Sequence, residues 1–291
     1  MDHDSFCAQA WDDHASQPEA VAARLPAGAA LVQSPAQAAA HTRLAAHVLG
    51  EHLGRWADAL AHLAPLQAQA EGDPAAHTTV QRHRRALQAA AGDMAALSAA
   101  GLDRSEHIAT QALAAGLLAS IDPDRALALY AAAQTEETTQ PLPDTDPAVR
   151  TLASNGHNIA AGLEERPARA PAQTAGMLAA AEAALRHWAR AGGWLERERA
   201  HWQLARCQLA AGDAAAAHRS ATDGLAVCQA HAAPAFEAFF LHVVRARAAA
   251  ALADATALAH ARQAALDALA QVPADQRVWC QPDLELLQCL S

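Results

Sequence analysis

The chain has 291 residues, 52% hydrophobic and only 4% aromatic, and its 21 basic residues stand against 31 acidic ones for a net charge of −10. That apolar content excludes a disordered chain, and the acidic balance argues against nucleic acid or an anionic membrane surface as the main partner. Alanine supplies 86 residues and every basic residue is arginine, so strong helix formers dominate, a β-sandwich or barrel is excluded, and lysine-dependent chemistry (Schiff bases, the phosphate-binding P-loop) has no residue to run on.

Residues 1–30 read as an arm, partly helical over 5–16. Its start, Met1-Asp2-His3-Asp4-Ser5-Phe6-Cys7, is acidic and lacks the apolar core of a secretory signal. From 31 to 291 the chain reads as one helical array. The predicted helices are 36–51, 55–70, 75–91, 93–100, 103–119, 123–139, 147–163, 173–191, 194–211, 213–231, 234–252 and 254–271, with a terminal capping helix near 282–290. No run of about 20 residues is apolar enough to span a bilayer, and a cytoplasmic protein is expected. The five cysteines (7, 207, 228, 280 and 289) include no C-x-x-C pair and read as free thiols.

The breaks between helices resemble one another: Gly54-Arg55-Trp56, Gly92-Asp93-Met94, Ile121-Asp122-Pro123, Gly212-Asp213-Ala214 and Ala253-Asp254-Ala255. Glycine permits a left-handed helix end, and aspartate caps the next helix. Five positions after the first residue of each triplet stands Ala59, Leu97, Ala126, Ala217 or Leu258, where two antiparallel helices approach. Two segments break the rhythm, 138–147 with its three prolines and 164–173, longer than a tight turn requires; both read as tolerated surface insertions or functional loops, and the first is a candidate hinge.

Around one of these turns, Trp202-Gln203-Leu204-Ala205-Arg206-Cys207-Gln208-Leu209-Ala210-Ala211-Gly212-Asp213, with Ala217 and Gly224-Leu225 beyond it, is similar to a tetratricopeptide repeat. Leu53-Gly54-Arg55-Trp56-Ala57-Asp58-Ala59-Leu60 resembles the same turn, and Asn158-Ile159-Ala160 the first helix of such a repeat. The usual repeat is about 34 residues long. Here Gly54 to Gly92 spans 38 and Gly212 to Ala253 spans 41, which is closer to the long-helix repeats of bacterial sensor and regulator proteins. The resemblance implies an all-α, right-handed superhelical solenoid of about six antiparallel helix pairs. It also implies a concave groove, lined by the first helix of each pair, that binds a protein or peptide.

The resemblance places Arg199, Trp202 and Arg206 on that groove, and their i, i+3, i+7 spacing independently puts them on one helix face. A tryptophan between two arginines suits an acidic partner or a terminal carboxylate. His157, Asn158 and either Arg245 or Arg247 are the neighbouring candidates. The two-lysine carboxylate clamp of some tetratricopeptide domains is disfavoured, because Gln111 and Ala115 occupy its first pair of positions.

No nucleophile elbow or nucleotide-binding glycine motif is present, so no catalytic residue and no cofactor is expected. Among the sixteen histidines, the nearest pair, His47 and His52, is five residues apart and would point to different faces of an α-helix, so no metal site is expected. Cys207, in an arginine-rich helix, reads as a packed thiol. The runner-up function is a ligand-sensing regulatory domain for a small molecule or signalling peptide. The apolar C-terminal stretch Val278–Leu290 reads as a cap or as a homodimer contact.

Overall fold

The computed structural model describes residues 1–98 and 101–290. Among them are fourteen α-helices and no strand, and the helices pack largely in neighbouring pairs. The chain divides into two compact units, 1–159 and 160–291.

The first unit begins with α1 (His3–Asp13), α2 (Pro18–Ala29) and α3 (Pro35–Ala45). The sequence reading had no α2: Pro18 suits a first turn, but Pro26 lies inside the helix, where it forfeits one backbone bond. Burial compensates, since Val21 and Leu25 are fully enclosed and the Phe6 ring packs against Gly28. α3 continues into a π-helical turn, Ala46–His52. The expectation that His47 and His52 diverge is therefore corrected. Bonds of the i→i+5 type bring the fifth residue back over the first, and the two Nε2 atoms stand 3.1 Å apart.

Next come α4 (Trp56–Ala70), α5 (Pro74–Ala90), a short 3₁₀ segment (Met94–Ser98), α6 (Arg104–Leu118), α7 (Pro123–Thr139) and α8 (Pro147–Glu164). The helix expected over 93–100 is thus reduced to the 3₁₀ segment, and residues 99 and 100 lie outside the described residues. The proline-rich segment leaves the helical path from Gln140 to Asp146, yet it is anchored. Leu142 is buried and its N–H donates to the enclosed Glu137 carboxylate, and Asp146 accepts from Ser105.

In the second unit α9 (Pro171–Ala191), α10 (Trp194–Ala210), α11 (Ala214–Ala230), α12 (Ala235–Ala251), α13 (Ala255–Gln271) and α14 (Arg277–Gln288) follow one another. Each packs on the next, and α10 also meets α12, and α12 meets α14, past the intervening helix. The long connection before α9 is held by Arg169. Its guanidinium donates to the carbonyls of Leu163, Glu164 and Arg166 at the end of α8, and to Ala210 at the end of α10.

The repeated turns behave as the residue types require. Gly54, Gly92 and Gly212 have positive φ, and so does Ala253, the alanine standing in for glycine. Asp122, Asp213 and Asp254 each accept a backbone N–H as helix caps. Ala59, Leu97, Ala126, Ala217 and Leu258 are all buried. Among the described residues no helix is long and apolar enough to cross a membrane.

Candidate functional site

α10 carries Arg199, Trp202 and Arg206 along one side, as their spacing demands, and both guanidiniums already hold a carboxylate. Arg199 grips Glu237 of α12 in bidentate fashion, Nε to Oε2 at 3.1 Å and Nη2 to Oε1 at 2.7 Å. Arg206 donates to Glu164, in the last turn of α8, at 2.5 Å. It also stacks over Trp202, its Cζ 4.7 Å from the ring centroid, close enough for a cation–π attraction. Trp202 in turn meets Phe240 edge to face and packs on a core that includes Ala205, Ala217 and Leu241. The indole is thus a half-buried anchor with an arginine laid across it.

The two arginines of α12 separate. A step of two residues on an α-helix turns a side chain to roughly the opposite face. Arg247 shares a charged cluster with Arg206, Glu164 and Asp283 of α14. Burial pushes the Asp283 carboxyl up, while Arg206 and Arg247 pull it down. Arg245 instead lines an open cleft of about 460 Å³ beside α11, with Thr222, Gln229 and His242. His157 and Asn158 lie on the part of α8 that belongs to the first unit, the former half-buried and the latter exposed.

Beneath Arg199 lies a second carboxyl. Glu198 is 1% exposed and stands close enough to Glu237 to feel its charge. Burial and the neighbouring Glu237 charge push its pKa up to about 8, against the smaller pull of Arg199. Together Glu198, Glu237 and Arg199 tie α10 to α12. Cys207 is fully buried, its thiol pointing at the Ala160 carbonyl, and burial raises its pKa to about 11, the opposite of an activated nucleophile.

The acidic partners Glu164, Glu198, Glu237 and Asp283 were not among the residues singled out from sequence. Glu237 carried a usable signal: it interrupts the apolar run Ala235-Phe236-Glu237-Ala238-Phe239-Phe240, and a charge inside such a run needs a partner. Compared with known proteins, the sequence matches no family model and no curated relative.

Proposed function

We propose that this chain is a non-enzymatic binding module of tetratricopeptide-like helix pairs, and that a protein or peptide partner lies along the side of α10, α12 and α14 that carries Trp202, Arg206 and Arg247. The observation that carries this reading is the direct packing of α10 on α12 and of α12 on α14 past the helices between them. In stacked hairpins, the helices that touch their counterparts are those on the inner, concave side, where extended ligands are held.

The chemistry of that side fits a mixed-charge partner segment better than a purely acidic one. Arg206 and Arg247 alternate with Glu164 and Asp283. Arg199, its side chain 52% exposed, keeps further N–H donors after serving Glu237. A partner carboxylate therefore exchanges with an internal one instead of filling a vacant clamp, which favours fast, moderate binding over very tight binding.

Selection of peptides from a displayed random library tests this, with wild type beside Trp202→Ala/Arg247→Gln and circular dichroism as the folding control. Peptides retained by wild type are expected to lose at least about tenfold in affinity for the variant. Equal affinity for both would move the site elsewhere.

A second reading, a small-molecule sensor, is favoured by one observation. The cleft beside α11 has a volume in the small-ligand range, and two of its lining groups, Arg245 Nε and His242 Nδ1, are buried without hydrogen-bond partners. A library that yields no peptide at all would favour it.

A further inference from the structure

The six histidines of residues 1–62 gather in two places in the first unit. One group consists of His14, just past the end of α1, with His47 and His52 on the π-helical turn; one ring nitrogen from each lies within 4.8 Å of the others. Their ring centroids are 4.6, 4.9 and 5.3 Å apart, and the Nε2 atoms of His47 and His52 are separated by 3.1 Å. A tetrahedral zinc ion with Zn–N bonds of about 2.05 Å sets adjacent ligand nitrogens roughly 3.3 Å apart and imidazole centroids roughly 5 Å apart. The three rings therefore already stand at coordinating separations.

Their outer nitrogens point to the same conclusion. His47 Nδ1 is 2.7 Å from the Glu51 carboxylate, and His14 Nδ1 is 2.5 Å from the Trp11 carbonyl. Both partners only accept hydrogen bonds, so the neutral imidazoles carry their proton on Nδ1 and turn bare Nε2 lone pairs inward. This is the outer-shell arrangement that orients metal-bound histidines. Bare nitrogens converging at such distances repel one another unless a cation or a proton sits between them.

We propose that His14, His47 and His52 bind a divalent transition ion of the zinc class through their Nε2 atoms, with Glu51 and the Trp11 carbonyl as positioning groups. Three protein ligands leave a fourth coordination position for water or a ligand, and all three rings are half-buried rather than enclosed.

A second, closed site rests on different residues. His3 and Cys7 stand one turn apart on α1, Nε2 to Sγ 3.5 Å, which is the separation of roughly 3.5 Å that a shared zinc ion sets between nitrogen and sulfur ligands. His41 belongs to the same group, and its Nε2 lies 3.0 Å from His62 Nε2. His3 and His41 are fully buried, so His3, Cys7 and His41 would hold an ion in a largely enclosed site, with His62 beside it against His41.

The test uses the untagged full chain, stripped with a chelator and titrated with Co²⁺ and Zn²⁺. The expected result is two ions per chain and a near-ultraviolet thiolate-to-cobalt band. Cys7→Ser should abolish the band and leave one ion. His47→Gln/His52→Gln should remove the other ion and keep the band. Glu51→Gln retains every ligand and so reads the open site without disturbing the rings; it should weaken that site about 10- to 100-fold. A wild-type chain that binds neither ion below millimolar concentration would overturn both sites. Unchanged stoichiometry and affinity in His47→Gln/His52→Gln and in Glu51→Gln would overturn the three-imidazole site, and an unchanged band in Cys7→Ser the closed one.

Discussion

Glu198 and Glu237 meet across α10 and α12 as two enclosed carboxyls, and Arg199 neutralises only one of them. The other keeps its proton far above the usual carboxylate range.

That pair makes stability depend on pH. Glu198 is raised from 4.5 to about 8 in the folded chain. Below pH 4.5 both folded and unfolded chains hold the proton, and this contribution to stability is complete. As pH rises toward 8 the unfolded chain has lost the proton while the folded chain must retain it or bury a charge, so the contribution is lost. Glu198→Gln should flatten this fall. The difference between wild type and variant in urea unfolding free energy should change by roughly 1–3 kcal/mol between pH 5 and pH 8. A pH-independent difference would place Glu198 in a more polar setting.

Arg169→Ala should destabilise the second unit. The side chain satisfies terminal carbonyls of two helices, α8 and α10, so its loss leaves acceptors at both helix ends short of a donor. A loss of about 1–3 kcal/mol is expected, with Arg169→Lys recovering only part of it because an ammonium cannot span both ends. Chemical denaturation of the three proteins measures this.

At Gly28 the space is already taken. A Cβ built there would overlap the Phe6 ring, so Gly28→Ala must expel that buried ring from beside His41. The expected cost is about 1–3 kcal/mol. Phe6→Leu in the same background should recover part of it, as read by thermal unfolding.

The opposite sign is expected at Ala253. Its φ of 55° is a left-handed conformation that costs a side-chain-bearing residue roughly 1–2 kcal/mol. Ala253→Gly should raise stability by about 0.5–1 kcal/mol, the relief exceeding glycine's extra chain entropy. A lowered midpoint would mean that the methyl group packs usefully against its surroundings.

These residues also show what was legible in the sequence. The turn at Gly212-Asp213 could be read because its two residue types each do a local job, a left-handed φ and a cap, within a few positions. Ala253-Asp254 was recognised by analogy, and its backbone follows the glycine pattern. The α2 helix was not legible, because Pro26 is a local signal against helix that only the tertiary enclosure of Val21 and Leu25 outweighs. His47 and His52 were misread for a different reason: face arguments assume the α-helical period, and nothing local in Ala46–His52 announces the wider turn. The choice between Arg245 and Arg247 stayed open, whereas Arg199, Trp202 and Arg206 could be placed on one side of their helix by spacing as well as by resemblance. The carboxylates that occupy those arginines come from helices 40 or so residues away, beyond the reach of any spacing rule.

All of the arginine pairing described above, from Glu164 and Glu237 to the carbonyls capped by Arg169, is made by a group that acyl donors do not modify. With no ε-amine in these 291 residues, lysine acetylation, ubiquitin attachment to lysine and amine-directed crosslinkers find no side chain here. The charge pattern along α10 and α12 is thereby insulated from the commonest means by which cells and chemists rewrite positive surfaces. Modification that does alter it must act on guanidinium itself, or on the acids opposite.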